Sequence, residues 1–302
     1  MLIDIATYDN KGDTAITVRP GHSTTVRHTP APTSQAYLKL HALMRNIPKN
    51  ELVILMQGGG NLVGYAYVDM IRQKYIERFP ERKIIILSQS IFLNPKGQEY
   101  LQYSRNLYSN RSNLVILLRD RHSYKRAKTM FHGVQIILAP DLAFGIGMVP
   151  RQLPPIYDII WIKRYDLEAP KKYTIPQFPP GVSVEVSDWL YWRTNKPPND
   201  LDKSFQITSV GFQFLQRGRI VVTERLHGHV LSTLMNIPHV LIDNPPYFKL
   251  SSFYASWTVN LQNIKLVSNG SLALGAAIEL LQKYDRFLPS IGPKDMNAPS
   301  NG

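Results

Sequence analysis

The feature that most restricts the fold of this chain is its alternation of short apolar runs with longer helix-like segments. Leu2–Ala6, Leu52–Met56, Lys83–Leu87, Leu114–Leu118 and Val134–Leu138 each have the length and the Val/Ile/Leu content of a buried strand. Between them, Gln35–Arg45, Tyr65–Arg78, Gly97–Tyr108 and Tyr124–Phe131 read as helices. Strands joined through helices run parallel, so the rhythm predicts an α/β fold with a parallel sheet covered on both faces. The proline-rich stretch Val149–Pro155 interrupts it and marks the expected domain boundary. A second set follows, with strands at Ile156–Ile162, Val182–Val186, Ile220–Val222 and Val240–Ile242. Its helices are expected at Asp202–Gln216, Leu226–Met235 and Leu272–Lys283. The architecture implied is two α/β domains, residues 1–150 and 151–302, facing each other across a cleft, with a frayed tail over 289–302.

Bulk properties narrow the chemistry. At 302 residues the chain accommodates two domains of ordinary size, and its 19% charged content is that of a folded protein. No apolar run has the length of a membrane span. Met1–Thr7 lacks a basic leader and reads as a strand, so no signal peptide or anchor is visible. The expected compartment is the cytoplasm, or a secretory lumen if an N-terminal anchor has been removed. The absence of cysteine excludes disulfides and thiolate chemistry. A net charge of +13 calls for anionic partners: phosphorylated substrates, acidic glycans, a lipid surface or nucleic acid.

In open α/β sheets ligands bind at the carboxyl ends of strands, which makes the residues there the candidates. After the first strand, Tyr8–Ile16 should turn into a helix, with Asp13 as either a catalytic carboxylate or an N-cap. After the second comes Gln57-Gly58-Gly59-Gly60-Asn61, either a backbone cradle for a ligand or a tight strand-to-helix turn. It lacks the Lys-Ser/Thr of a P-loop, and its glycine spacing is not that of a dinucleotide fingerprint. Ser88-Gln89-Ser90 and Arg119 follow the third and fourth strands, and Asp141 the fifth. Seven Lys/Arg lie between Arg105 and Lys128 with a single acid, Asp120. Most of these should form a solvated helix face, whereas Arg119 should point into the cleft. Lys163 and Arg164 close the first strand of the second domain.

The stretch Thr223–Asn244 is the most unusual. A β-branched strand runs into an apolar helix, and Arg225, His227 and His229 stand at the junction. A helix start favours an anion, and Arg225 beside it reinforces that preference. An imidazole exchanges a proton near neutral pH, which suits His227 as an acid, while His229 reads as a packed, hydrogen-bonded residue. Histidines two apart on a helix do not face each other, so no metal site is expected.

Taken in order, Asn10–Ile16, Gln57–Asn61, Ser88–Ile91, Arg119-Asp120, Pro140-Asp141, Arg225–His229, Ile237-Pro238 and Asp243-Asn244 resemble the polysaccharide pyruvyl transferases. The resemblance implies a GT-B-like fold of two Rossmann-like domains and transfer from phosphoenolpyruvate (PEP) onto two hydroxyls of a sugar, giving a cyclic pyruvate ketal. It implies that Arg225, Leu226, Arg164, Arg119 and Lys249 bind PEP on the C-terminal side, since arginine matches both carboxylate and phosphate. His227 is the implied general acid and Asp13 the implied base or hydroxyl-orienting group. Gly58, Gly59, Gly60 and Asn61 would form the loop for acceptor or phosphate. The chain departs from the pattern at Arg121-His122-Ser123, where acidic residues are often found, and in the loop Asn244–Lys249.

PEP is then the donor substrate, with no cofactor, and the acceptor is a saccharide, a galactoside foremost, or a lipid-linked oligosaccharide. A nucleotide-sugar glycosyltransferase of the same architecture is the alternative; PEP needs no pocket for a base and ribose. Nucleic acid is not an expected partner, because the singled-out cations sit at strand ends and not along one helix face. The surplus charge suits peripheral contact with an anionic membrane.

Overall fold

The computed structural model describes residues 2–3, 10–21, 35–63, 66–91, 93, 98–166, 169, 174–192, 201–243, 245 and 248–293. Part of the expected first strand (residues 4–6), Tyr8, Asn244 and residues 294–302 of the tail lie outside them. The chain divides into two compact α/β units. One comprises Met1–Tyr8, Asp13–Leu142 and Pro197–Phe205, the other Asp9–Gly12, Ala143–Lys196 and Gln206–Gly302. The main division therefore falls just ahead of the proline-rich stretch.

The first unit contains β1 (Leu2–Ile3), α1 (Lys11–Gly21, from Asp13 onward), α2 (Gln35–Asn46), β2 (Val53–Met56) and β3 (Gly59–Leu62). It continues with α3 (Ala66–Arg78), β4 (Lys83–Ile91), α4 (Gln98–Tyr108), β5 (Leu114–Leu118), α5 (Arg121–Met130) and β6 (Gln135–Leu138). The strands form a six-stranded sheet in the order β1-β2-β4-β5-β6, with β3 also on β4, and every pairing is parallel. Successive strands step in one direction, and right-handed crossovers then bring their helices to the same face. Leu40 and Met44 of α2, Ile71 and Tyr75 of α3, Tyr108 of α4 and Met130 of α5 accordingly share one core cluster with Ile54, Ile84 and Ile116. The sequence rhythm had suggested helices on both faces; the opposite face carries a smaller cluster of Leu55, Ile85, Leu87, Leu117 and Leu142.

Two expectations are corrected here. The glycine stretch is not a tight turn into a helix. Gln57 and Gly58 interrupt an extended path that resumes as β3, and Gly59 has φ +144°, a conformation closed to residues with a Cβ. The Gln89 side chain bridges the interruption, donating to the Gln57 carbonyl at 2.8 Å and accepting from Asn61 N–H at 3.2 Å. Gln89 can do this because β4 continues through Ser88, Gln89 and Ser90, which the sequence reading had left beyond the strand.

The second unit contains β7 (Tyr157–Ile162), β8 (Val184–Ser187), α6 (Leu201–Gln216, from Gln206 onward), β9 (Gly218–Thr223) and α7 (Leu226–Leu234). Then come β10 (His239–Ile242), α8 (Lys249–Phe253), β11 (Ile264–Val267) and α9 (Gly270–Tyr284). The five-stranded parallel sheet has the order β11-β10-β9-β7-β8. On one face Ala273, Ala276, Ala277, Leu280 and Leu281 of α9 pack against Ile159, Trp161, Ile220, Val222, Val240 and Ile242. The alanines let helix and sheet approach closely. At Gly228 in α7 a Cβ would collide with the Thr223 side chain, so this glycine allows the helix to lie against the end of β9.

The basic run gathers on α5. Ser123, Ala127 and Met130 are buried, while Arg121, His122, Lys125 and Lys128 are exposed and no acid stands in the first turn. Asp120 caps this helix through Ser123 N–H at 2.7 Å and is itself buried. Among the described residues no helix is long and apolar enough to cross a membrane.

Candidate functional site

In the second sheet the chain passes from β7 outward to β8, then returns to the other side of β7 for β9, β10 and β11. The strand order thus reverses between β7 and β9, and such a switch point opens a crevice at the carboxyl ends of the two strands. Ile162 lies in register with Thr223, so the residues leaving β7 and β9 emerge side by side. They are Lys163-Arg164-Tyr165-Asp166 and Glu224-Arg225-Leu226-His227.

Arg225 is the N-cap residue of α7, with extended backbone (φ −109°, ψ 131°) and no side-chain cap. Its N–H is taken by Thr223 Oγ1 at 3.0 Å. The helical ladder begins with His229 N–H to Arg225 C=O, so the N–H groups of Leu226, His227 and Gly228 precede it. The Arg225 guanidinium is held in a fork by Asp188, Nε to Oδ1 at 2.8 Å and a terminal nitrogen to Oδ2 at 2.5 Å. The same terminal nitrogen reaches Asp166 Oδ2 at 3.0 Å. Arg164 pairs with Asp166 through two bonds of 2.9 Å, and its backbone N–H donates to Glu224 Oε2 at 2.7 Å. Lys163 Nζ lies 3.9 Å from Glu224 Oε1.

The sequence reading anticipated the cations but not the three carboxylates that hold them. Lys163, Arg164 and Arg225 stand against Asp166, Asp188 and Glu224, a formally balanced set, as burial demands. The acids differ in exposure: the side chains of Asp188 and Glu224 are 4% and 0% exposed, that of Asp166 38%. An anionic ligand could displace Asp166 into water and leave the buried pairs standing.

His227 is the second residue of α7 and is buried. Gly12, which groups with this unit, packs against its imidazole so closely that a Cβ there would overlap the ring. The Gly-Asp motif therefore contributes a surface for the histidine. Lys249 opens α8, directly after Phe248 in the left-handed region at φ +49°.

His229 belongs to a buried chain. His239 Nδ1 lies 2.7 Å from the Ile237 carbonyl, His239 Nε2 lies 2.7 Å from His229 Nδ1, and His229 Nε2 lies 3.0 Å from Thr258 Oγ1. A carbonyl only accepts, so His239 carries its proton on Nδ1, His229 donates from Nδ1, and Thr258 donates to His229. Both rings are neutral in this pattern. Burial, and for His229 the neighbouring His239, pushes their pKa values down, that of His239 to about 4. The expectation of a packed, hydrogen-bonded His229 agrees with this geometry.

The first unit holds the other candidates. Asn10 Oδ1 accepts Gly12 N–H at 3.2 Å at the start of α1, so the capping position falls to Asn10, and Asp13 sits half-buried in the first turn. Gln57 fixes this turn, donating to Asp13 C=O at 3.0 Å and to Thr17 Oγ1 at 3.0 Å. Asn61 is oriented by Arg72, whose terminal nitrogen donates to Asn61 Oδ1 at 2.6 Å, so the carboxamide NH₂ is turned away from it. Gly58 and Gly59 are buried and Gly60 is half-buried. Arg119, expected as a PEP ligand, makes a 2.6 Å ion pair with Asp141 and donates to Ser90 Oγ at 2.9 Å. All three residues are at most 3% exposed, which marks a structural ion pair locking β4 and β5 to the segment after β6.

Comparison with known proteins gives a consistent outcome. Residues 13–246 match the family model described as polysaccharide pyruvyl transferase. The chain is 30% identical to pyruvyl transferase 1 of Schizosaccharomyces pombe over 279 residues, covering 85% of this chain and 69% of that one. It is 29% identical to the putative pyruvyl transferase EpsO of Bacillus subtilis over 246 residues, covering 73% and 74% of the two chains. A solved structure of a functionally uncharacterised Klebsiella pneumoniae protein has a similar fold, with TM-score 0.57 at 16% identity over 89% of this chain and 92% of that one.

Proposed function

Because this chain belongs to the polysaccharide pyruvyl transferase family, and is therefore a transferase acting on glycans, we propose that it moves a pyruvyl group from PEP onto two hydroxyls of one hexose. The observation that carries the reading is the switch point between β7 and β9, where Arg164 and Arg225 emerge together beside the uncapped start of α7. Two forked cations and a helix start suit a ligand that carries a carboxylate and a phosphate. Arg225 and Arg164 take the anionic groups, with the backbone at Leu226 and His227 contributing N–H donors. PEP enters by displacing Asp166. Lys249, at the start of α8, is a further cation.

His227 delivers a proton to the PEP methylene carbon, making it a methyl group and building cationic character at C2. One sugar hydroxyl attacks C2 and loses its proton, which restores the acid. The C2–O bond to phosphate breaks, the second hydroxyl closes the ring, and its proton leaves with the phosphate. The net change is PEP plus diol to ketal plus inorganic phosphate. Asp13 is assigned to orienting or deprotonating a hydroxyl, and the Gly58–Asn61 strand to the acceptor. No second ligand is drawn on beyond the donor and acceptor.

The test is incubation with PEP and a panel of hexosides, β-galactosides first, following phosphate release and product mass, with His227→Ala beside the wild type. The reading expects a ketal product, lost by about 10²–10⁴-fold in the variant. Silence across the panel, together with stabilisation by a nucleotide sugar and none by PEP, would replace pyruvyl transfer with glycosyl transfer.

A further inference from the structure

Two aromatic side chains flank the Arg225 cluster without taking part in its ion pairs. Tyr165 lies between Arg164 and Asp166 and is 59% exposed; Tyr191, on the short turn that Asp188 caps, is 65% exposed. Their ring centroids stand 6.1 Å apart with the planes tilted by 44°. Partial burial, then Tyr191, Glu224 and Asp188, raise the Tyr165 pKa. Single exposed aromatics are ordinary, but here two rings meet on the segments that carry Arg164, Asp166 and Asp188.

The geometry selects among ligands. A flat base stacks on one ring at a time, because rings 6.1 Å apart at 44° cannot sandwich a plane. A pyranose chair offers a puckered face of C–H groups that touches two tilted rings, while its hydroxyls project from the rim. That rim is supplied with acceptors and donors by Asp166 and Arg164. PEP, small and anionic, has little apolar surface to cover either ring.

We propose that Tyr165 and Tyr191 form the platform on which the acceptor sugar lies, its diol directed toward the Arg225–His227 end of the crevice. This assignment rests on the pyruvyl-transfer reading and adds an aromatic contact for the acceptor to the Gly58–Asn61 strand already assigned to it. Both tyrosines act through ring contact, so phenylalanine should replace them and alanine should not.

The experiment measures initial rates against acceptor at saturating PEP, and against PEP at saturating acceptor, for Tyr165→Ala, Tyr191→Ala and the two Phe variants. Each alanine should raise the acceptor KM by about two- to tenfold, the range of one aromatic contact, with the PEP KM unchanged. The Phe variants should stay near the wild type. An unchanged acceptor KM in both alanine variants, or a parallel rise in PEP KM, overturns the platform. Saturation-transfer NMR with methyl β-galactoside, run without PEP, separates this from the reading beneath it. Ring-dependent contact in a protein that forms no product would sustain the platform and sink pyruvyl transfer; no contact with any sugar of the panel would sink the platform.

Discussion

Asp188 and Asp166 both bind Arg225, yet their removal should have opposite consequences. Asp188 engages the guanidinium in a two-point fork, with both side chains at most 7% exposed. Asp188→Asn keeps the shape and an acceptor but removes the charge that balances a buried cation. Breaking a buried pair in this way costs about 3–5 kcal/mol, and because Asp166 remains in contact the low end, about 3 kcal/mol, is expected. For a domain of this size that lowers the melting temperature by about 6–12 °C. Asp166 is 38% exposed, and a screened pair of that kind contributes about 0–1 kcal/mol. Asp166→Asn should therefore melt within about 4 °C of the wild type. It should also bind PEP about fivefold more tightly, because a competing carboxylate has left. Thermal melts with and without PEP, on both variants, report the two melting shifts and the change in PEP binding. Equal destabilisation by the two substitutions, or weaker PEP binding in Asp166→Asn, would refute the division into one structural and one displaceable carboxylate.

Gly12→Ala should drive a methyl group into the His227 ring, and a shift of about 1 Å at a reacting group costs on the order of 10² in rate. Steady-state kinetics should show that loss in kcat, with PEP binding retained. The His229–His239 pair predicts acid sensitivity: both folded pKa values lie below the ordinary 6.5, so the unfolded chain binds more protons as pH falls through that value. Stability should thus be intact above pH 6.5 and fall by about 1.4 kcal/mol per pH unit per histidine toward pH 4, measured by urea titration. His239→Gln should flatten that slope. The basic face of α5 predicts salt-sensitive sedimentation with phosphatidylglycerol vesicles, reduced about fivefold for each of Lys125 and Lys128 changed to Gln. Binding that survives both substitutions would remove α5 from that role.

Much of the fold was legible because buried parallel strands are continuous apolar runs. Leu114–Leu118 was placed to the residue, and Ile156–Ile162 to within one. Strand-end logic also reached Arg164, Arg225 and His227, since those residues follow their strands directly. What it missed is set by distance along the chain. Nothing local to Arg225 announces Asp188, 37 residues away, or Asp166, 59 away. Asp188 does follow β8, so extending the same logic to acids would have found it. The Arg119–Asp141 pair is hidden for the same reason, its members standing at two separate strand ends. Of the two readings of the glycine stretch, ligand cradle or tight turn, the turn fails because the side chain of Gln89 holds the stretch extended. β11, with Lys265 inside a four-residue strand, has too short a pattern to stand out.

In the proposed reaction His227 gives a proton to the methylene carbon of PEP at the β7–β9 switch point. The direct measurement is to run the reaction with PEP and a β-galactoside in D₂O and examine the ketal methyl group by NMR and mass spectrometry. The account predicts one solvent-derived deuterium in each product methyl, with product formation lost in His227→Ala. A ketal whose methyl carries no deuterium, or one formed at the wild-type rate without His227, would contradict it.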